Sequence, residues 1–221
     1  MEFKIWLEQQ SSVHIFLDLD ETLVKTFYEE RRAELDAFVA DTEEKARQNP
    51  DRPLLKKFLA SGKQKQEALR NMPMIDLVDH RRIVVPRPGL LEFLQQVRPL
   101  GHLYMLSMGT QDYIEKVADV LKITNLFDGI YSARGAFSPF GVKPPQVMAQ
   151  RQSWFLIDDA FVPDKLKTLG ANFVDIDYHD EEEYAQTADN HWIRIAPFSG
   201  ETTQPDGEFG RVLEELKGKL Q

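Results

Sequence analysis

The sequence predicts an α/β fold, in which a Rossmann-like parallel sheet carries helices on both faces, together with a helical insertion after the first strand and a small β-hairpin. Short apolar runs alternate with segments of helical periodicity along most of the chain, and this alternation indicates a parallel sheet covered by helices. Three of the apolar runs end in polar or acidic residues, at Asp18, Ser107 and Asp158. Ligands of parallel sheets bind beyond the carboxyl ends of the strands, so we expect these residues to converge.

The first third of the chain contains one strand, a helical insertion and a hairpin. Residues 13–17, VHIFL, are a short apolar run that predicts a buried central strand. Apolar residues then recur at helical spacing over about 27–70. A break at 49–51 divides this stretch into two helices, of which the second begins near Pro53. Residues 74–85 alternate apolar and polar side chains around a polar centre, which predicts a β-hairpin.

Helices and strands alternate in the rest of the chain. Residues 87–89, RPG, open a helix, 102–106 form the next buried strand, and Thr110 caps a helix that runs to about Lys122. The remaining predicted elements are a strand at 154–157, a helix at 161–169 ended by Gly170, strands at 173–176 and 192–195, and an amphipathic helix at 208–220. We therefore expect a single domain over residues 1–221, with the helical insertion at about 27–73.

Composition excludes several classes of protein. The chain has 221 residues, of which 42% are hydrophobic and 29% charged, as in ordinary soluble globular proteins. It has neither a run of eighteen apolar residues nor a recognisable secretory signal, which predicts no membrane span and no export. The absence of cysteine excludes disulfides, thiolate metal sites and cysteine nucleophiles. We expect a cytoplasmic protein, or a nuclear one if the organism is eukaryotic.

The distribution of charge bears on partners. The net charge of −9 argues against a protein that holds nucleic acid mainly through its phosphates. Residues 52–70 nevertheless carry six basic residues against one acidic residue, a local charge of +5, whereas residues 175–189 carry seven acidic residues and no basic ones. Each stretch fits either a solvated surface or a docking surface for a charged partner, and the sequence leaves both interpretations open.

The acidic residues at the strand ends predict a site for a hard cation. Asp18 and Asp20 follow the first strand, and Asp158 and Asp159 follow a later one. Such a carboxylate cluster does not stay ionised and buried without a cation. All the expected ligands are oxygens and the five histidines are scattered along the chain, so Mg²⁺ is favoured over zinc.

A magnesium site of this kind predicts phosphoryl transfer, because Mg²⁺ usually completes its coordination with water and a substrate phosphate. One carboxylate can attack phosphorus and form an aspartyl phosphate, while a second protonates the leaving oxygen and later deprotonates water. Ser107 and the backbone N–H groups before the helix near Thr110 offer neutral donors to the phosphoryl oxygens. The expected cation is Lys143, with Arg134 and Arg151 as alternatives.

Several motifs together resemble a known family. Residues 16–24, FLDLDETLV, resemble the DLDETLV motif of the haloacid dehalogenase superfamily. Within it, the chain is most similar to the phosphatases that act on the C-terminal domain of RNA polymerase II, the NLI-interacting-factor group. Further similar segments follow in the same order: the hairpin leading into RPG at 87–89, LSMG at 106–109, Lys143, LIDD at 156–159 and the tail at 195–220. Only about 27–73 lies outside the resemblance.

The resemblance implies a role for each residue. Asp18 would be the nucleophile and a magnesium ligand, and Asp20 the general acid/base with its backbone carbonyl on the metal. Asp158 would hold magnesium, and Asp159 would be a further or an outer ligand. The residues implied for the phosphoryl group are Thr22, which also supports the turn, Ser107, Met108, Gly109 and Lys143. Ser107 stands where the group more often has Thr, and the helical insertion is unlike the group's compact elements.

The expected activity is that of a Mg²⁺-dependent phosphatase with an aspartyl-phosphate intermediate. Its expected substrate is a protein or peptide phosphorylated on Ser or Thr, or on Tyr. Three alternatives stay open: a phosphatase of small metabolites, a phosphatase of polynucleotide 3′-phosphates, and a catalytically silent binding module. The insertion either caps the site or is a passive decoration. Taken alone, Asp158-Asp159 also fits a strand-end turn, Ser107 a helix cap and Lys143 a surface lysine.

Overall fold

The computed structural model describes residues 13–134, 154–159, 191–200 and 207–220. The chain divides into two compact units, one formed by residues up to 24 and from 86 onward, the other by residues 25–85. The helix predicted at 161–169 and the strand predicted at 173–176 lie outside the described residues.

Strands and helices are interspersed along the described parts of the chain. They are β1 (His14–Leu17), β2 (Val24–Tyr28), α1 (Glu30–Gln48), α2 (Pro53–Arg70), β3 (Met74–Asp76), β4 (Arg81–Pro86), α3 (Leu90–Val97), β5 (His102–Ser107), α4 (Gln111–Val120), β6 (Gly129–Ser132), β7 (Trp154–Asp158), β8 (Trp192–Arg194) and α5 (Glu208–Lys219). Short 3₁₀ turns cover Arg98–Leu100 and Thr124–Leu126.

The first unit contains a parallel sheet of five strands in the order β6-β5-β1-β7-β8. The central strand β1 is completely buried, as its apolar run predicts. Leu17 at its end lies level with Met105 of β5 and with Ile157 of β7. The carboxyl ends of these three strands therefore meet at one edge of the sheet, and the predicted α/β fold is confirmed.

The second unit contains a small sheet with strand order β2-β4-β3. Strands β3 and β4 pair antiparallel, with Met74 opposite Ile83, which confirms the predicted hairpin. Strand β2 was not predicted, and the expectation that the helical stretch begins near Phe27 was wrong, because α1 begins only at Glu30. The segment VKTFY is rich in β-branched and aromatic residues, and it forms a strand because β4 offers it a partner.

The two predicted helices of the insertion form a hairpin with little buried surface. Helix α2 begins at Pro53, as predicted. The buried residues at the contact are Val39 and Thr42 of α1 and Gly62 of α2. A Cβ atom on Gly62 would lie 3.1 Å from the Val39 side chain and 3.3 Å from that of Phe38, so the glycine lets the helices approach closely.

Helix α5 closes the first unit at the end of the chain. Its Phe209 stacks on Phe93 of α3 with ring centroids 4.2 Å apart. The Glu208 carboxylate accepts the Ala196 N–H at 2.9 Å and pairs with Arg211 at 3.0 Å. The hydrogen bond from Arg211, followed by that from Ala196, holds the pKa of Glu208 below its usual value. These contacts therefore stabilise the fold at pH values above the usual pKa of a glutamate. The stabilisation is lost as the pH falls through the lowered pKa of Glu208.

Candidate active site

Two acidic residues are buried side by side where β1 and β7 end. The Asp18 N–H donates to the Ile157 carbonyl at 3.0 Å, which extends the pairing of the two strands by one residue. Asp18 is only 7% exposed and Asp158 only 3%. Ionised carboxylates are costly to bury unless a cation or hydrogen bonds compensate them, and a bound cation is one way to offset the burial of this pair.

Asp159 joins the two buried residues in a carboxylate trio. One oxygen from each of Asp18, Asp158 and Asp159 lies within 4.8 Å of the others. Three like charges so close together repel each other strongly, and a divalent cation between them would offset that repulsion. The donors are all carboxylate oxygens, which is the ligand type that Mg²⁺ prefers. The convergence of the two acidic motifs is thus observed, and the donor set fits the predicted ion.

Thr22 fixes Asp159 in place. The threonine is fully buried, its hydroxyl donates to Oδ1 of Asp159 at 3.1 Å, and the same hydroxyl oxygen accepts the Asp159 N–H at 3.1 Å. The Thr22 hydroxyl therefore orients one member of the carboxylate trio. Its implied contact with a phosphoryl group stays a prediction.

A buried arginine holds the turn that carries Asp20 and Thr22. Arg87, 2% exposed, donates to the Thr22 carbonyl at 3.0 Å and to the Ala196 carbonyl at 2.8 Å. The backbone N–H of Arg87 donates to the Leu23 carbonyl at 2.9 Å. The guanidinium lies over the Phe209 ring, 5.4 Å from its centroid. Sequence reasoning placed Arg87 at a helix start and within a segment that resembles the family, but gave its side chain no role.

We expect Arg87→Met to lower the free energy of unfolding by about 2–4 kcal/mol, because the buried Thr22 carbonyl and the part-buried Ala196 carbonyl lose a charged hydrogen-bond donor. Denaturant unfolding followed by circular dichroism measures this loss. Arg31→Met is the control, since the Arg31 side chain is 59% exposed and its ion pair should contribute under about 1 kcal/mol. A loss at Arg87 no larger than that of the control would show that the turn does not depend on this side chain.

The carboxylate of Asp20 is held apart from the trio. It accepts a hydrogen bond of 2.5 Å from the hydroxyl of Tyr113, a residue on the first turn of α4 that is 6% exposed. Sequence reasoning missed Tyr113, because together with Ile114 and Val117 it follows the apolar spacing of an ordinary core helix. The two acids of the first motif therefore have different surroundings. The implied contact of the Asp20 carbonyl with a metal stays a prediction.

The predicted phosphate-binding loop follows β5. Ser107 is 1% exposed, and its hydroxyl oxygen accepts the Gly109 N–H at 3.1 Å. The hydroxyl of Ser132, which pairs with Ser107 across β5 and β6, donates to the Gly109 carbonyl at 2.6 Å. Met108 lies between these anchored residues and is partly exposed. These two hydrogen bonds hold the loop in place at the same sheet edge as Asp18.

Helix α4 differs slightly from its prediction. Thr110 is its N-cap residue, as expected, but the Thr110 side chain forms no capping hydrogen bond. The side chain of Gln111 instead links the start of the helix to β6, by accepting the Ser132 N–H at 2.9 Å and donating to the Ile130 carbonyl at 2.8 Å. The helix ends at Val120 rather than near Lys122.

The basic side chain predicted to bind the phosphoryl group, that of Lys143, cannot be located in the described structure. Lys143 and its alternative Arg151 lie outside the described residues, and Arg134 is exposed at the end of a described range. The assignment of Lys143 therefore stays a prediction. Within the parts of the chain that the structure describes, no helix has the length and apolar character needed to cross a membrane.

Comparison with protein families finds a match over more than half of the chain. The model of the family described as NLI interacting factor-like phosphatase matches residues 13–137. The matched segment includes Asp18, Asp20, Tyr113 and the loop after β5, and it ends before the second acidic motif. A search of curated proteins found no significant match.

Two solved structures share the fold. One is Fcp1, described as an essential RNA polymerase II CTD phosphatase, with a TM-score of 0.55 and 19% identity over 99% of this chain and 51% of that chain. The other is a variant of fission yeast Fcp1 bound to beryllium fluoride, with a TM-score of 0.54 and 18% identity over 99% of this chain and 52% of that chain. This chain spans about half the length of the Fcp1 chains that it matches.

Proposed function

The chain belongs to the NLI interacting factor-like phosphatases of the haloacid dehalogenase superfamily, and on this premise we propose that it is a Mg²⁺-dependent phosphomonoester hydrolase with Asp18 as nucleophile. The observation that carries the proposal is the carboxylate trio of Asp18, Asp158 and Asp159, beside an Asp20 held separately. One acid for attack and one for proton transfer are the two groups that this chemistry needs.

The trio would hold the ion, with the Asp20 backbone carbonyl as a further ligand. Bound Mg²⁺ would neutralise charge on the phosphoryl group and on the attacking carboxylate. Thr22 would contribute by holding the Asp159 carboxylate in place beside the other two carboxylates.

The residues of this chain would act in two steps. In the first, an Asp18 oxygen forms a bond to phosphorus, the bond from phosphorus to the ester oxygen breaks, and Asp20 gives its proton to that leaving oxygen. In the second, Asp20 takes a proton from a water whose oxygen attacks phosphorus. The bond between Asp18 and phosphorus then breaks, which releases inorganic phosphate and restores both carboxyl groups.

The loop after β5 would bind the phosphoryl oxygens. Because Oγ of Ser107 already accepts the Gly109 N–H, the hydroxyl proton of Ser107 remains for donation to a substrate oxygen. Met108 and Gly109 belong to the same loop, and Lys143 is proposed as the cation. This arrangement would supply neutral donors and one positive charge to a group that gains charge during transfer.

For the substrate class we propose a phosphorylated protein or peptide. The solved Fcp1 structures are those of phosphatases named for the polymerase C-terminal domain. Helix α2 adds a surface that favours an acidic partner with apolar side chains. Leu54 and Phe58, one turn apart on α2, are 66% and 56% exposed beside the exposed Lys56 and Lys57. Cations and apolar groups together suit an acidic phosphopeptide.

We expect kcat/KM to be highest for phosphopeptides in a panel that also contains a 3′-phosphorylated oligonucleotide and common phosphometabolites. Turnover of an aryl phosphate with Mg²⁺, and its loss in EDTA, separates an enzyme from a silent binding module. A metabolite or the oligonucleotide exceeding the best phosphopeptide by about tenfold, or 1.4 kcal/mol, would contradict the protein-phosphatase proposal.

The same assay tests the α2 surface. The double variant Lys56→Glu and Lys57→Glu should raise KM for acidic phosphopeptides several-fold and leave aryl phosphate turnover unchanged, since like charges then repel the peptide. The charge-matched control is the double variant Lys45→Glu and Arg47→Glu on α1, whose side chains pair with Asp41 and Glu44. An equal effect of both variants would assign the change to net charge alone.

A further inference from the structure

We propose that Tyr113 is a positioning residue for the acid/base, whose hydroxyl holds Oδ1 of Asp20 and so orients the carboxyl group for proton transfer. The inference rests on the proposed function, since it assumes that Asp20 moves protons during turnover. It is carried by a short contact, the 2.5 Å hydrogen bond from the Tyr113 hydroxyl to Oδ1 of Asp20.

Both partners in this contact stand on fixed elements. Asp20 lies on the turn after β1, where the Val24 and Leu23 N–H groups both donate to the Leu19 carbonyl, at 3.0 and 2.9 Å. Tyr113 is buried on the first turn of α4, and its phenol reaches a residue 93 positions earlier in the chain. The hydrogen bond therefore fixes the carboxyl group itself and does not merely follow from local chain geometry.

Gly109 makes room for the Tyr113 ring. A Cβ atom at position 109 would lie 2.6 Å from Cδ1 of Tyr113 and 3.1 Å from the Ile114 side chain, too close for either to stay in place. A side chain at this position would push the phenol away from Asp20. The loop proposed to bind the phosphoryl group and the residue that orients the proton donor are thus in direct contact.

The orientation of the Asp20 carboxyl group matters because this group moves a proton in both proposed steps. The hydrogen bond from the phenol anchors Oδ1 and thereby constrains the plane of the carboxyl group. In the first step Asp20 gives a proton to the leaving oxygen, and in the second it takes one from water. The terminal torsion of an Asp side chain is intrinsically broad, so loss of the phenol would loosen this orientation.

The test is Tyr113→Phe in the full chain with Mg²⁺, assayed on substrates that differ in their need for a proton. The serine oxygen of a phosphoserine peptide would leave as an unstable alkoxide unless an acid protonates it. Nitrophenyl phosphate instead releases a stable nitrophenolate, which needs no proton. We expect the single-turnover rate for the phosphoserine peptide to fall by roughly tenfold or more, with KM within about twofold. The nitrophenolate burst should fall by less than about threefold.

Reference variants separate positioning from general damage. Asp20→Asn should show the same leaving-group dependence to a greater degree, and Tyr131→Phe, which removes a phenol from β6, should show none. If Tyr113→Phe does not fold, Tyr113→Met removes the phenol while keeping a large, flexible apolar side chain and should give the same dependence. Equal losses on both substrates, in either folded variant, would overturn the positioning role.

The outcomes also distinguish this inference from the proposed function. A wild-type enzyme that turns over both substrates, with Asp20→Asn impaired and Tyr113→Phe unchanged, would overturn the role of Tyr113 alone. A wild-type chain that hydrolyses neither substrate in Mg²⁺ would overturn the proposed function, and the inference with it.

Discussion

Replacing Asp18 with Asn is expected to reduce kcat by about a thousandfold or more, a loss of roughly 4 kcal/mol in transition-state stabilisation. The substitution keeps the shape of the side chain but removes both the attacking charge and a proposed metal ligand. The Asp18 N–H would still donate to the Ile157 carbonyl, so the end of β1 should stay in place. Hydrolysis of an aryl phosphate under saturating Mg²⁺ measures the effect.

Stability should change in the opposite direction to activity. Without a cation the trio concentrates three carboxylates in one small, mostly buried volume, so neutralising one of them relieves repulsion. In EDTA we therefore expect Asp18→Asn to have a melting temperature at or above that of the wild type.

A matched control for Asp18→Asn is Asp112→Asn, which neutralises a 57% exposed carboxylate paired with Lys116 and should leave kcat unchanged. An acid-quenched wild-type reaction should also contain a phosphorylated protein that the Asp18 variant lacks. Retention of more than about a tenth of wild-type kcat by that variant, a loss under about 1.4 kcal/mol, would exclude Asp18 as the nucleophile.

Removal of the metal should have the second-largest effect. We expect excess EDTA to abolish turnover and Mg²⁺ to restore it, while Asp158→Ala should either raise the Mg²⁺ concentration needed for half-maximal activity or abolish activity. Asp158 is 3% exposed within the trio, so its loss would leave a bound ion with fewer ligands and more access to water. Full activity in excess EDTA would contradict the site as proposed.

Binding of the ion has a readout that does not depend on catalysis. A ligand that binds only the folded state stabilises it by RT ln(1 + [L]/Kd), or about 2.7 kcal/mol at a hundred times Kd. Mg²⁺ should therefore raise the melting temperature of the wild type and of an Asp112→Ala control, and much less that of Asp158→Ala. An equal Mg²⁺-dependent shift in all three proteins would place the ion elsewhere.

The sequence by itself determined four of the five described strands of the parallel sheet, all but β6, and the place of the acidic residues at the strand ends. Buried strands such as β1 and β7 read as short apolar runs because both of their faces are covered. Parallel strands end at a common edge, so residues after those runs meet whatever their separation along the chain. This geometry is why the convergence of Asp18 with Asp158 was predictable.

Only the tertiary structure decided which side chains hold those acids in place. The hydrogen bonds from Arg87 to Thr22, from Tyr113 to Asp20 and from Thr22 to Asp159 join residues 65, 93 and 137 positions apart. Strand β2 likewise depends on a partner contributed by β4. Periodicity in a sequence reports which face of an element is buried, at spacings of 2 or about 3.6 residues. It carries no information about which distant side chain reaches that face, since that depends on how the elements pack.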